Sequence, residues 1–456
     1  MKRFALRLLC SLLALLMCSC AARQTSAGTD DTTAETVTDA ETETAPEQTA
    51  GPDTAAVTET AAETEPPEEE VKYVNHADMK AMWISQFDMA NVYVKNGKQR
   101  SEAEFTKLLK RILDNVARNH YNTIIFQVRP YADSMYPSDV CPPCYIASGG
   151  YGTELEYDPF EILIKEAHER GFSVQAWINP MRAMLVKEIK LVSDRYTIKQ
   201  WYDDSRLRSL YLPVVSDRVY LNIGEPEVRD LIVRGAEELL QRYDVDGLHM
   251  DDYFYPTTDT SFDAKTFSNF RDGGGKGDLA KFRRESLSAL VHSLYEAVKA
   301  SGEGRIFGIS PAGNMQTVIN SHYADVRTWC RDDGYLDYIC PQVYFGFEHA
   351  TVPFDQTCEK WQSIIKNDNV SLIIGMSLGK AKSGIDNYAG KGKNEWSEHK
   401  DILLRCLQFT QTLEKCRGVA YFCYQYFYDP AGGAEERATK AERDNFVPYL
   451  EMITWR

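Results

Sequence analysis

Short runs rich in β-branched and aromatic residues recur along the chain, and each is followed by a polar stretch and then by a segment with apolar residues three and four positions apart. The first pattern is typical of strands and the second of amphipathic helices. Their alternation predicts repeated βα units around a parallel sheet. The predicted strands cover residues 80–88, 122–130, 172–180, 246–253, 305–311, 336–344, 371–379 and 418–426.

Eight such units in one uninterrupted body favour a (β/α)8 TIM barrel over a doubly wound sheet, because no GxGxxG turn follows the first strand. The helical pattern is most regular over 102–119, 225–243 and 281–300. The longest excursions, 181–222 and 254–280, follow the third and fourth strands. Loops after the strands build the sites of barrel enzymes, so both excursions are expected beside the functional site.

Polar side chains gather where the predicted strands end, and in a barrel these ends meet at one rim, which we call the mouth. On the fourth strand, period two turns Leu248 and Met250 towards the helices and His249 and Asp251 inward. A carboxylate aimed into the mouth needs a partner or a function. The strand-end residues are Gln127, Arg129, Trp177, Asn179, His249, Asp251, Asp252, Gln342, Tyr344, Tyr424 and Gln425.

Aromatic residues surround the same ends, and their flat faces suit the CH-rich faces of pyranose sugars. Glycoside cleavage commonly uses two carboxyl groups, one protonated and one ionised. Adjacent carboxylates push their pKa values apart, which makes Asp251 and Asp252 a candidate catalytic pair. The aromatic residues are Trp83, Tyr131, Trp177, Tyr253, Phe254, Tyr255, Tyr344, Phe345 and Phe347.

The first twenty residues, "MKRFALRLLCSLLALLMCSC", place three basic residues before an apolar run that is too short to span a bilayer, which indicates an export signal. The run ends in a sequence that resembles a bacterial lipobox. Cys20 is therefore the expected lipidation site, and the protein is expected on the outer face of the cell membrane, anchored by that lipid. An ordinary cleaved signal is the alternative.

Residues 21–72 are rich in Thr, Ala, Glu and Pro, without aromatic residues, which predicts a disordered tether. Fourteen acidic residues against two basic ones give this segment −12 of the chain's −16, and with +3 on the signal the remaining body, 73–456, carries −7. Such a mildly acidic body gives no sign of a nucleic-acid surface.

Eight cysteines lie in the body, two of them in the "CPPC" sequence that contains Cys141 and Cys144. A zinc site would need two further ligands at suitable spacing, and no second CxxC is present. A local disulfide and free thiols both remain open for Cys141 and Cys144. We predict no metal and no cofactor.

Nearly the whole body, from about Lys80 to Tyr424, resembles the glycosyl hydrolase-like 10 family of bacterial envelope lipoproteins. The most specific motif is "VDGLHMDDYFYP", and the others are "AMWIS", "NTIIFQVRPYADSMYPS", "AWINPMR", "LNIGEPEVRDLI", "FGISPAGN" and "LDYICPQVY". The resemblance implies a (β/α)8 barrel and a polysaccharide substrate, since one group of the family cleaves peptidoglycan glycan without stem peptides. It further implies that Asp251 and Asp252 are catalytic and that the pocket is lined by Arg129, Asn179, Arg182 and Gln342.

The predicted ends of the fifth to eighth strands carry no Asp or Glu, and Glu348 in the sixth loop is the nearest substitute. Two routes follow. Asp251 could act as a nucleophile with a loop acid, or the 2-acetamido group of the sugar could attack its own anomeric carbon while one aspartate orients it and the other donates the proton.

Two other functions compete with a glycosidase. The chain could be a glycan-binding lipoprotein without catalysis, or a metal-dependent hydrolase or deacetylase that uses His249 with the carboxylates. Metal sites of that kind usually gather several histidines at strand ends, and His249 is the one histidine on a predicted strand.

Overall fold

The computed structural model of the protein describes residues 73–455. The predicted signal segment 1–20, the lipidation site Cys20 and the predicted tether 21–72 lie outside the described residues.

Eight parallel strands form a closed barrel, in which each strand pairs with its neighbours in the sequence. The first strand closes the ring by pairing with both the second and the eighth, as in Met79 opposite Gly418 and Ala81 opposite Thr123. The predicted (β/α)8 barrel is confirmed. We number the barrel strands first to eighth in chain order; they are Met79–Ile84, Thr123–Arg129, Ser173–Ile178, Gly247–Met250, Ile306–Ile309, Tyr338–Ile339, Ser371–Ser377 and Cys416–Phe422.

Side chains fill the inside of the barrel, because alternate residues of each strand point inward. Trp83 and Trp177 are the largest members of this inner cluster. The opposite faces of the strands pack against the helices in a second, larger core. The other buried members of the inner cluster are Met79, Ala81, Ile125, Tyr338, Cys340, Ile373, Ala420 and Cys423.

Helices surround the barrel, and the three most regular helical patterns all form helices. Glu102–Arg118 begins after Ser101, whose hydroxyl accepts a hydrogen bond from a first-turn amide. Leu279–Ala300 begins after Asp278 in the same way, and Pro226–Arg242 begins with proline, whose missing N–H costs nothing at that position. The other α-helices are Gln86–Tyr93, Tyr145–Ser148, Pro159–His168, Val186–Ile189, Thr197–Asp203, Ser205–Tyr211, Ala264–Asp272, Met315–Asn320, Val326–Trp329, Phe354–Ile364, Gly379–Ser383, Glu395–Glu398, Ile402–Thr410 and Lys440–Met452.

The excursion after the third barrel strand contains a small antiparallel sheet of its own. Its three strands are Arg182–Leu185, Val214–Val215 and Arg218–Tyr220, with the last in the centre. A two-stranded sheet, Val94–Lys95 with Lys98–Gln99, follows the first barrel strand. The predicted excursion 181–222 therefore carries a separate structural unit beside the mouth.

The cysteines at 141, 144, 330, 340, 358, 406, 416 and 423 are all buried and free. The structure thus gives free thiols for the "CPPC" sequence. Between residues 73 and 455, none of the helices combines the length and the apolar character needed to cross a membrane.

Candidate active site

Asp251 directly follows the fourth barrel strand and is 2% exposed. Its Oδ2 accepts hydrogen bonds from Trp177 Nε1, at 3.0 Å, and from Asn179 Nδ2, and its Oδ1 accepts one from the backbone N–H of Tyr253 at 3.2 Å. The register of the third and fourth strands, with Trp177 opposite His249, brings these donors to the carboxylate. Three N–H donors around one carboxylate stabilise its ionised form.

Asp252 is half-buried at the mouth. Burial raises the pKa of Asp251, and the neighbouring Asp252 charge raises it further. Burial also raises the pKa of Asp252, although His322 and a hydrogen bond from Gln342 act in the opposite direction. Two such close carboxyl groups titrate as a pair, so one proton is retained at a pH where isolated carboxyl groups are ionised.

A chain of amide groups orients Asn179. The backbone N–H of Gln86 donates to Gln127 Oε1 at 2.8 Å, and Gln127 Nε2 donates to Asn179 Oδ1 at 2.7 Å. Because the oxygen of Asn179 is occupied, its Nδ2 is the group directed at Asp251. Gln127, predicted to bind substrate, holds the donor of a catalytic candidate in place.

Arg182 lies between two tyrosines of the mouth. Its guanidinium carbon is 4.9 Å from the ring centroid of Tyr131 and 4.5 Å from that of Tyr253. The hydroxyl of Tyr131 accepts a hydrogen bond from Gln86 Nε2 at 2.8 Å. The Arg182 charge lowers the pKa of both aspartates, against the larger effect of burial. The structure therefore brings Tyr131, Arg182 and Tyr253 together with the carboxylate pair.

His249 and Trp83 occupy the barrel interior below the pair. His249 Nδ1 lies 2.8 Å from the hydroxyl of Tyr338, and its ring packs edge-on against Trp83. Burial lowers the pKa of His249 to about 3, so the ring is neutral near pH 7. Nearer the mouth, the half-buried ring of Tyr344 stacks on Phe422 with the centroids 6.0 Å apart.

The structure places Arg129 away from the mouth. The pairing of the second and third strands shifts register between Gln127 and Arg129, which turns the arginine to the outer side of the sheet. Its guanidinium lies against Gly235 of the helix Pro226–Arg242. The contact is so close that a Cβ atom built onto Gly235 would lie only 2.5 Å from Nη1 of Arg129. The prediction that Arg129 lines the pocket finds no support in this position.

Tyr255 and Glu348 also lie apart from the pair. Tyr255 is 1% exposed and packs against Phe262, Tyr323 and the guanidinium of Arg283, in the outer core.

Glu348 is exposed, and its backbone N–H donates to the carboxylate of Glu395 at 3.0 Å. This bond ties the main chain of the sixth loop to the helix Glu395–Glu398. The prediction of Glu348 as a substrate-binding residue or loop acid finds no support in its position.

Three residues of the mouth were not predicted from the sequence. His322 faces Asp252, and its buried Nδ1 has no hydrogen-bond partner within residues 73–455. Arg218 lies over the ring of Tyr131, 4.5 Å from its centroid, and Gln86 binds both Gln127 and Tyr131. His322 lies in a loop and Arg218 on a strand of only three residues, and neither position gives a periodic signal, whereas Gln86 lies within the predicted first strand, 80–88.

Within the part of the chain that the structure describes, no group of three or more His, Cys, Asp or Glu side chains is arranged to hold a metal ion. His249, the ligand considered from the sequence, is hydrogen-bonded to a tyrosine instead.

The chain is similar to two curated bacterial proteins. "Glycosyl hydrolase YngK" of Bacillus subtilis (strain 168) is 28% identical over 363 residues, which cover 76% of this chain and 68% of that protein. "Glycosyl hydrolase DigH" of Escherichia coli (strain K12) is 28% identical over 328 residues, which cover 66% of this chain and 73% of that protein.

Solved structures share the fold at low sequence identity. The glycoside hydrolase domain of PgaB (BpsB) from Bordetella bronchiseptica matches with a TM-score of 0.54 at 13% identity, over 80% of this chain and 98% of that domain. The catalytic domain of β-amylase from Paenibacillus polymyxa matches with a TM-score of 0.50 at 10% identity, over 82% of this chain and 99% of that domain. These likenesses show the barrel fold alone.

The family comparison covers most of the barrel. Residues 78–391 match the model of the family described as glycosyl hydrolase-like 10, and this range contains the carboxylate pair and every residue placed around it above except Glu395 and Phe422. The chain belongs to the glycosyl hydrolase-like 10 family.

Proposed function

We propose that the protein is a glycoside hydrolase that cleaves an envelope polysaccharide with N-acetylated sugars, namely the glycan strands of peptidoglycan from which the stem peptides have been removed. The observation that carries the proposal is the buried, triply hydrogen-bonded Asp251 beside the half-buried Asp252. Membership of a glycosyl hydrolase-like family and the names of the two relatives, both glycosyl hydrolases, support it.

The hydrogen bonds around Asp251 support a placement of the shared proton on Asp252. Both oxygens of Asp251 face N–H donors, and a protonated carboxyl group would have to turn its own O–H towards one of them. Among residues 73–455 the side chain that donates a hydrogen bond to Asp252 is Gln342, and the half-buried Asp252 reaches the mouth, where a glycosidic oxygen can approach it. Asp251 is therefore the carboxylate and Asp252 the general acid.

This assignment suits catalysis assisted by the substrate. Oδ1 of Asp251 accepts one hydrogen bond, from Tyr253, and a carboxylate oxygen can accept a second, which the N–H of a 2-acetamido group would supply. The acetamido oxygen bonds to the anomeric carbon as the glycosidic C–O bond breaks, and the leaving oxygen takes the proton of Asp252. Water then attacks the same carbon and gives a proton to Asp252, while the bond from that carbon to the acetamido oxygen breaks and the 2-acetamido group is restored, with retention of configuration.

The alternative route, with Asp251 as nucleophile, needs a separate acid. Glu348 is exposed and its main chain is tied to Glu395, and it has no contact with the pair among the described residues. Its position gives this route no support. The acetamido route uses the two adjacent aspartates as they stand.

The experiment incubates the purified protein with glycan strands freed of stem peptides, and identifies the products by mass spectrometry. We expect fragments with new reducing ends from the wild type and none from Asp252→Asn. Chemically de-N-acetylated strands should bind but resist cleavage. Strands that stay intact with the wild type would contradict the proposal and favour the glycan-binding alternative. Equal cleavage of acetylated and de-acetylated strands would exclude the acetamido route.

A further inference from the structure

The guanidinium of Arg182 is held by two aromatic rings, but within residues 73–455 it donates no hydrogen bond and forms no ion pair. It lies over the rings of Tyr131 and Tyr253 and is half-buried. Among residues 73–455 it has no hydrogen-bond acceptor and no ion-pair partner, and its nitrogens are not among the buried polar atoms that lack a partner. Its nitrogens therefore keep some exposure to solvent at the mouth, and the two rings hold the guanidinium in place.

Arg218 brings a second guanidinium to the same ring. Its carbon lies 4.5 Å from the centroid of Tyr131, and Nη1 donates to the carbonyl of Ala183 at 2.6 Å. Arg218 and Arg182 lie on paired antiparallel strands of the small sheet after the third barrel strand. In the described part of the chain Arg218 forms no ion pair. Two guanidinium groups therefore lie over the ring of Tyr131, and neither is paired with a carboxylate there.

The charges of the aspartate pair do not account for this arrangement. Arg182 opposes the two carboxylates from beyond ion-pair distance. Arg218 is not among the main influences on the pKa of either aspartate. Two guanidinium groups with free donors match the planar, bidentate geometry of a carboxylate. A doubly charged phosphate would be repelled more strongly by the neighbouring aspartates than a singly charged carboxylate.

We propose that Arg182 and Arg218, which lie on two paired strands of the small sheet, form a subsite that binds a carboxylate carried by the sugar chain. The inference deepens the proposed function and rests on it, because it specifies that the substrate is an acidic glycan. Two sugars offer this chemistry: one with a lactyl ether, whose carboxylate is free when no peptide is attached, and a uronic acid. An amide in place of the carboxylate would lose the ionic part of the interaction.

The test compares wild type and Arg218→Gln on three substrates. These are peptide-free glycan strands, the same strands with their carboxylates converted to methylamides, and a polymer of alternating N-acetylglucosamine and glucuronate. Binding is measured by calorimetry and cleavage by new reducing ends. Arg208→Gln is the matched control, because Arg208 also lies over a tyrosine, 5.1 Å from the centroid of Tyr202, but outside the mouth.

We expect the wild type to bind and cleave the free-acid strands about tenfold or more better than the amidated strands, the factor for one charge-assisted hydrogen bond. Arg218→Gln should lose a similar factor on the free-acid strands and much less on the amidated ones, and Arg208→Gln should behave as wild type. Binding and cleavage of the glucuronate polymer, with the same dependence on Arg218, would assign the uronic acid; their absence would assign the lactyl group.

Equal binding of free-acid and amidated strands by the wild type overturns the subsite, whether or not the strands are cleaved. Equal losses by Arg218→Gln on both kinds of strand overturn it as well. Selective binding without cleavage would uphold the subsite while contradicting the proposed hydrolase activity. Failure of the inference and failure of the proposed function are thus distinguished.

Discussion

Replacing Asp251 by asparagine separates the charge of this residue from its hydrogen bonds. The asparagine oxygen can keep the bonds from Trp177 and Asn179, but its NH2 group then faces the N–H of Tyr253, 3.2 Å from the original oxygen. One hydrogen bond is lost, at about 1 kcal/mol. Removal of a buried charge beside Asp252 acts in the opposite direction. We expect the free energy of unfolding to change by no more than about 2 kcal/mol at neutral pH.

The pH dependence of this change has a definite sign. Burial raises the pKa of the Asp251–Asp252 pair in the folded protein, so folding favours the pair with one proton retained, and the wild type loses stability as pH rises from the ordinary carboxyl range to that raised pKa. Asparagine does not titrate. The stability of Asp251→Asn relative to the wild type should therefore increase from pH 4 to pH 8, measured by urea unfolding.

Two control variants test the reasoning. Asp251→Ala leaves the buried donors of Trp177 and Asn179 without an acceptor, and should destabilise the protein by about 2–6 kcal/mol. Asp246→Asn changes another buried aspartate next to the same strand, at the opposite end, where it accepts hydrogen bonds from the backbone N–H groups of Val74 and Val174. It should lower stability without lowering the turnover of the folded protein.

Turnover decides whether the charge is catalytic. Asp251→Asn should reduce kcat on peptide-free glycan strands by about 10²–10⁴-fold, as is usual when a group that acts in the transition state is removed. More than a tenth of wild-type turnover in Asp251→Asn would refute the role given to this carboxylate. An equal loss in Asp246→Asn would show that the assay reports folding and not catalysis.

Three further predictions rest on the structure, and a fourth rests on the sequence of the first twenty residues. Since burial raises the pKa of Asp252, the wild-type kcat should stay high to a more alkaline pH than an ordinary carboxyl group allows and fall as pH rises beyond that pKa; a rate independent of pH up to pH 10 would exclude Asp252 as the acid. Trp177→Phe removes one donor to the buried carboxylate and should lower kcat about tenfold with the fold retained, as judged by circular dichroism. Arg129→Met should leave KM for glycan strands at the wild-type value, because the guanidinium lies against Gly235; a raised KM would return Arg129 to the pocket. Cys20→Ala should move the protein from the membrane to the soluble exported fraction, and unchanged membrane retention would argue against lipidation.

The barrel and the centre of the site could be predicted because their signals are local and periodic. Strand alternation aimed His249 inward, and the structure places it beside Trp83 in the barrel interior. Arg129 was expected in the pocket from its place at a strand end and from the family resemblance, but a register shift after Gln127 turns its side chain to the outer side of the sheet. Such a shift arises from the pairing of two strands and leaves no mark in either strand's own pattern.

The residues of the mouth that were not predicted from the sequence reach it through contacts between segments distant in the chain. Arg218 reaches Tyr131 through a strand of three residues, too short for any periodicity to be recognised, in an excursion that was predicted as a loop. His322 lies in a loop, and its approach to Asp252 follows from how the fifth and fourth βα loops meet. Glu348 was proposed from its place in the sequence alone, which carries no information on the direction of its side chain.

The buried thiols can report how often different parts of the barrel open to solvent. Burial raises the pKa of Cys141, Cys144, Cys340 and Cys423, so the unreactive protonated form prevails and a thiol reagent can attack only after the surrounding structure opens. The first two lie in the loop after the second barrel strand, and the other two lie inside the barrel. Peptide mass spectrometry can follow the labelling of each cysteine. The rates at Cys141 and Cys144 would then report local opening of the loop, and those at Cys340 and Cys423 would report opening of the barrel itself.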